Sequence, residues 1–198
     1  MKKIINRFII ILLLTFPSFD YLMANENVLS IGSGNSKVVV RVFSSLTCPH
    51  CASFHNKIFE SLKKEYIDTK KIKFEHHGFP LDLAALNAER ILRSIENKEK
   101  SFEFLGIIYK KQNQWAVGSD INKINDYIKK IGIEFGLNAE RMNKFLIDDK
   151  IQDQILNERI EAQKKYSISS TPTIYVNKKK YEGKHEYKLF KKFLEKSL

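Results

Sequence analysis

The spacing of apolar positions changes character several times along the chain. "VVVRVFS", Val38 to Ser44, is β-branched and mostly apolar, the pattern of a strand buried on both faces. From about Pro49 to Tyr66, Cys51, His55, Ile58, Phe59 and Leu62 fall on one face at helical spacing. "KIKFEHHG", Lys71 to Gly78, reads as a second strand, so residues 38–77 make a βαβ unit. From Asp82 to about Tyr166 the pattern is helical throughout. Leu86, Ile91, Leu92 and Ile95 mark one stripe, and Phe104, Leu105, Ile107 and Ile108 mark another. Asn138 is placed to N-cap one long helix carrying Met142, Phe145, Leu146, Ile151, Ile155, Leu156 and Ile160. "TPTIYVN", Thr171 to Asn177, returns to strand, and "KKYEG" is its hairpin partner across Asn177 and Lys178. "HEYKLFKKFLEKSL" closes the chain as an amphipathic helix, while "NVLSIGSGNSK", Asn27 to Lys37, reads as loop. No internal repeat or low-complexity linker stands out. The order is β-α-β, a helical block, then β-β-α: an α/β fold whose sheet is interrupted by a helical insertion at about 82–166.

The N-terminus changes the picture. Lys2, Lys3 and Arg7 precede a nine-residue, largely apolar run from Phe8 to Phe16 and then Pro17. A basic head and a short apolar centre make a secretory signal, with cleavage expected after Ala24. A bilayer-spanning helix needs ~20 residues. Residues 1–24 are therefore expected to be a signal peptide and 25–198 one domain outside the cytosol. Taking the three basic and one acidic residues of the leader from totals of 34 and 23 leaves 31 and 22, a net charge of +9. Acids are interspersed among those cations, as in "NKEKSFEF", and no basic stripe with aromatics emerges. The charge reflects a lysine-rich composition rather than a nucleic-acid partner.

Chemistry concentrates in "LTCPHC". Cys48 and Cys51 are the only cysteines, too few for a disulfide framework or an all-cysteine zinc site. A strand running into Cys48 and a helix opening at Pro49 put the first sulfur at a helix N-terminus, where proline suits the first position. The amides of His50 and Cys51 can face that sulfur, and the helix dipole favours a negative charge on it. Cys51, one turn inward, is then the resolving thiol, and Cys48 the exposed nucleophile. His50 adds stabilisation of the Cys48 thiolate, which makes the disulfide a stronger oxidant. A static disulfide closing four residues would be a poor staple. Metal binding by Cys48, His50, Cys51 and His55 is a weaker alternative, because Pro49 hinders tetrahedral ligation; neither metal nor cofactor is expected.

"FSSLTCPHCASFH", "KFEHHGFPLDLAALNAER" and "SISSTPTIYVNKKKYEG" together resemble the DsbA family of thiol-disulfide oxidoreductases, most closely its alpha-proteobacterial type, over roughly Ile31 to Leu194. The resemblance implies a thioredoxin-like fold with an inserted helical domain and a redox-active Cys48–Cys51 disulfide. It also implies a cis-Pro172 packed against the pair, with the Thr171 backbone free to bind an extended substrate. Two departures stand out. The family's acid six places before the first cysteine is Val42 here, which leaves His55 as the natural proton relay for Cys51. His76 and His77 stand where relatives often carry arginine, and carry no assigned role. The implied function is a periplasmic oxidase, expected to be a monomer, that passes its disulfide to reduced secreted proteins and is reoxidised by a membrane redox partner. An isomerase or reductase, and more remotely a metal carrier, are the alternatives.

Overall fold

The computed structural model describes residues 28–198, so the leader expected at residues 1–24 lies outside the described residues. One mixed sheet contains β1 (Leu29–Gly32), β2 (Val39–Ser44), β3 (Lys73–Gly78), β4 (Thr173–Val176) and β5 (Lys179–Tyr181), in the order β1-β3-β2-β4-β5. β2 and β3 run parallel, as the βαβ reading requires, and the other pairs are antiparallel. Side chains alternate between faces. Val40, Val42, Phe74, Ile174 and Val176 enter the main core, whereas Phe43 joins Phe79 and Ile168 in a smaller cluster on the other side. The β4–β5 turn places Asn177 at φ +55°, in the left-handed region expected of it.

β1 occupies a stretch expected to be loop. Four residues carry too little alternation to declare a strand; β1 exists because the edge of β3 offers unpaired backbone groups. Leu29 pairs with His76 and Gly32 with Lys73. Gly32 is required there, at φ +98° and with Ile72 O only 2.4 Å from where a Cβ would stand.

The helix after β2 is continuous but not uniformly α. α1 (Pro49–Phe54) passes into a π segment (His55–Phe59), then α2 (Glu60–Leu62), then a second π segment (Lys63–Ile67). Its buried positions include Cys51, His55 and Phe59, and Phe54, Ile58, Leu62 and Tyr66, each series stepping by four. In an ideal α-helix each such step overshoots the turn by about 40°. The wider π turns absorb that drift and keep both rows facing the core.

The helical block contains α3 (Leu83–Arg93), α4 (Lys98–Lys110), α5 (Gln112–Trp115), α6 (Ile121–Glu134), α7 (Ala139–Leu146) and α8 (Asp149–Tyr166). The long helix expected after Asn138 is therefore two. Asn138 does cap α7, accepting the Arg141 amide at 2.8 Å. The chain then breaks at Ile147, and Asp148 caps α8 through the amides of Lys150 and Ile151 at 2.9 and 3.3 Å. Ile160, read into the apolar stripe, is 48% exposed and lies outside it, and Ile147 at the break is 80% exposed. The break lets Met142 pack on Gly132 of α6 while α8 turns back beside β3. α9 (Tyr187–Glu195) ends the fold, burying Phe190 edge-on to Phe54 and Tyr181.

Candidate active site

Ser44 ends β2, and Ser45 to Thr47 turn the chain into the helix. The turn is braced from outside itself. Gln112 donates to the carbonyls of Leu46 (2.7 Å) and Cys48 (3.1 Å). The Thr47 hydroxyl donates to Asp82 at 2.7 Å, and the same carboxylate N-caps α3 through the Ala85 amide. Cys48 is the N-cap of α1, with extended backbone (φ −77°, ψ 119°) and Pro49 next in line. It offers no side-chain cap, so its sulfur is left to other partners.

Those partners make it acidic. The Cys48 thiol lies at a pKa of about 5, held there first by the Cys51 thiol. The side chain of Thr171 and the amides of Cys51 and His50 add to this, against the opposing effect of burial. Burial pushes the Cys51 thiol in the other direction, far above its ordinary value, and a charge on Cys48 pushes it further. Both cysteines are free thiols, so the pair is seen in its reduced state rather than as the disulfide.

Cys48 is less open than expected. It is 9% exposed, against 2% for Cys51. The cover is the segment before β4: the Thr171–Pro172 peptide is cis, and the Cys48 thiol donates to the Thr171 carbonyl at 3.3 Å. That carbonyl is therefore occupied while Cys48 keeps its proton, and the thiolate has none to give it. The Thr171 hydroxyl is buried without a hydrogen-bond partner beside the two sulfurs.

His50 is exposed at the rim. Near it stands His185, unassigned from the sequence, whose pKa is lowered by burial and then by the neighbouring charges of His50 and Lys57. His55 is deeply buried, stacked on Phe59 at 4.4 Å and 5.1 Å from the Tyr109 ring. Burial, then His76, hold its pKa near 3. A base this weak stays a neutral imidazole at neutral pH. Among the described residues, no three or more His, Cys, Asp or Glu side chains gather as a metal-binding group.

Val42 is buried, with Ile174 across one strand edge and His76 across the other. The buried polar groups beside Val42 come from neighbouring elements. His76 sits between the Ser44 hydroxyl (3.3 Å) and Glu89 of α3 (3.1 Å). Burial works against the Glu89 carboxylate, but His76 and Arg93 outweigh it and hold its pKa below the ordinary range. Tyr109, Gln112, Asp82 and Glu89 went unread because nothing in their local sequence sets them apart. Only the double histidine at 76–77 was visible.

The thioredoxin family model matches residues 24–196. The chain belongs to the thioredoxin family and, within it, to the DsbA-like thiol-disulfide oxidoreductases. Its fold is similar to that of alpha-DsbA1 from Wolbachia pipientis, with a TM-score of 0.80 and 28% identity over 88% of this chain and 92% of that one. In sequence it is 35% identical, over 77% of its length, to a Rickettsia bellii protein named for protein-disulfide oxidoreductase activity. It spans only 58% of that relative's length. Disulfide bond formation protein D of Bacillus subtilis is 28% identical over 85% of this chain and 76% of its own.

Proposed function

We propose that this protein is a dithiol–disulfide oxidoreductase acting outside the cytosol. It passes a Cys48–Cys51 disulfide to reduced proteins arriving through the periplasm, and a membrane redox partner restores the pair. The observation that carries the reading is the split between the two thiols: Cys48 at about 5 and Cys51 far above its ordinary value. An acidic Cys48 is a good leaving group, so a mixed disulfide on it readily yields to the substrate's second thiol. A thiolate stable at neutral pH also favours the reduced enzyme, which drives donation. His50 and Pro49 serve the thiolate, and Thr171 and Pro172 receive the substrate chain. Unfolded chains suit the surroundings: Leu81 and Leu83, each more than half exposed, flank the Asp82 that holds Thr47. The N-terminal segment is the signal that delivers the protein, which works as a monomer.

Alkylation of the reduced protein at pH 6, mapped by mass, tests the assignment: Cys48 should be labelled far faster than Cys51. Cys51→Ala should accumulate substrate proteins as mixed disulfides on Cys48. Equal labelling, with no trapped complexes, would sink the reading.

A further inference from the structure

The two ends of the sheet differ in character. β2 runs from Val39 towards the dithiol, so Cys48 stands beyond its last residue, Ser44. β3 starts and β4 ends at the other end, where Lys73 pairs with Val39 and Val176 with Val40. Six residues of strand at ~3.3 Å each put about 20 Å between the two ends.

Four chain segments meet at the end remote from Cys48, and hydrogen bonds tie them together. The Ser36 hydroxyl donates to the Lys71 carbonyl at 2.6 Å, and the Lys73 amide to the Val38 carbonyl at 2.9 Å. The β4–β5 turn is fixed to the start of β2. There the Val39 amide donates to Asn177 Oδ1 and the Asn177 amide to the Val39 carbonyl, both at 2.8 Å. Tyr66, whose carbonyl accepts the Lys71 amide at 2.9 Å, donates from its hydroxyl to Glu195 of α9 at 2.8 Å.

This end is basic. Lys37, Lys70, Lys71, Lys178, Lys179 and Lys196 are exposed on it, and none of the six forms an ion pair among the described residues. The acids near them are already held: Asp68 by Lys63 at 2.6 Å, Glu65 by Lys191 at 2.7 Å, and Glu195 by Tyr66. A cavity of about 560 Å³ opens between Lys178, Lys179, Lys196 and Arg41, and no acid lines it. Of these four cations only Arg41 is engaged, with Glu75 at 2.8 Å. The cavity beside His76 and Glu89 and the groove between α8 and the sheet, by contrast, mix both signs. Lys70 sits at φ +60°, a left-handed conformation that glycine holds without steric cost. The turn keeps a lysine where the backbone favours glycine. In the sequence the six lysines fall in four separate stretches, which is why no basic stripe announces them.

We infer that this end of the sheet docks reversibly on an anionic phospholipid surface, with Cys48 at the opposite pole facing away from the bilayer. The chemistry of the patch selects that partner. Lysine is a compact point charge on a flexible stem, suited to phosphate oxygens spread over a plane. It is depleted in protein–protein interfaces, which centre on aromatic and arginine anchors. Tyr66, the aromatic side chain at this end, is buried. Docking of this kind does not depend on the dithiol chemistry. It adds to the proposed function a place of work: bound molecules present Cys48 to proteins in the compartment, and release frees the same Cys48 to meet a membrane redox partner.

The test is co-sedimentation of residues 25–198, which hold every described element, with vesicles of phosphatidylcholine alone or mixed with phosphatidylglycerol. Leaving out the apolar leader removes its own affinity for lipid. Binding to the mixed vesicles, absent on phosphatidylcholine and weakened by salt, is expected. The triple variant Lys71→Gln/Lys178→Gln/Lys196→Gln should bind about a hundredfold more weakly, at about fivefold per lysine. Lys100→Gln/Lys130→Gln/Lys144→Gln removes the same charge from exposed positions of α4, α6 and α7. It should bind within about threefold of wild type, because attraction to lipid fades over about 10 Å at 0.1 M salt. Lys70→Gly should weaken binding about fivefold without lowering the melting temperature, since glycine suits that turn. Cys48 of the vesicle-bound protein should react with a soluble alkylating reagent within about twofold of the free rate. Failure to bind the mixed vesicles, equal losses in the two triple variants, or protection of Cys48 on the vesicle would overturn the docking pole. Binding to polyglutamate but not to the vesicles, lost in the first triple variant, would overturn it in favour of an acidic protein partner. Failure of the redox reading shows elsewhere, in the labelling of the two thiols, and leaves vesicle binding unchanged.

Discussion

The acidity of Cys48 should be measurable as stability of the reduced protein. Its thiol titrates near 5 in the fold against an ordinary value of 9.0. Between those values the unfolded chain holds one more proton than the native one, so stability rises with pH across that window. The contribution is present above the window and is lost as pH falls through about 5. Each unit is worth about 1.36 kcal/mol, so the two units from pH 5 to pH 7 give about 2.7 kcal/mol as an upper bound. Solvent screening at the mouth of the site brings this to about 1–2 kcal/mol. Cys51 contributes no slope here, because its raised pKa leaves it protonated in both states until the unfolded thiol ionises near 9. Glu75, with a pKa of about 2 under the opposing effects of burial and of His77, Lys73 and Arg41, adds its own slope at lower pH. A Cys48→Ala reference subtracts it. The assay is urea unfolding at pH 4, 5, 6 and 7 under a phosphine reductant, with thiolate absorbance near 240 nm recorded in parallel. The wild-type curve should gain about 1–2 kcal/mol on the reference between pH 4 and pH 7, with the absorbance rising near pH 5. Parallel stability curves, or an absorbance step near pH 9, would refute the argument that these neighbours hold the thiolate.

Three other perturbations probe separate parts of the structure. His50→Ser should raise the Cys48 pKa and make the redox potential more negative; unchanged thiolate absorbance titration curves would assign the stabilisation to Cys51, Thr171 and the helix amides instead. Arg93 joins Glu89 (3.7 Å) to Glu158 of α8 (2.5 Å), so Arg93→Met should cost about 3 kcal/mol in urea unfolding, the low end for removing one partner of a buried pair. Asp148→Ala removes the cap that restarts the helix after Ile147 and should cost about 1 kcal/mol, visible as a melting temperature lowered by a few degrees.

Local chemistry carried much of this protein in plain view. The β-branched run of β2, Pro49 after Cys48 and Asn177 in its turn each depend on preferences of the residue and its immediate neighbours. The sequence places the dithiol at a helix start for that reason, and the polarity of the pair follows from the helix direction. β1 was hidden because four residues hold too little pattern, and only the waiting edge of β3 makes them a strand. The break at Ile147 was hidden because the apolar positions on either side continue at helical spacing, and only the Asp148 cap and the packing of two separate helices divide them. The π segments lay in the four-residue spacing of Cys51, His55 and Phe59, which reads as helix but not as which kind. What braces the turn at the dithiol belongs wholly to tertiary structure. Asp82 and Gln112, which hold Thr47 and the carbonyls of Leu46 and Cys48, lie 31 and 61 positions along the chain from Cys51, and no local preference marks them. The covering of Cys48 by Thr171, 123 residues away, is of the same kind. Sequence determined where a reactive sulfur would stand; folding decided what covers it and what braces its turn, because those contacts join elements that share no stretch of chain.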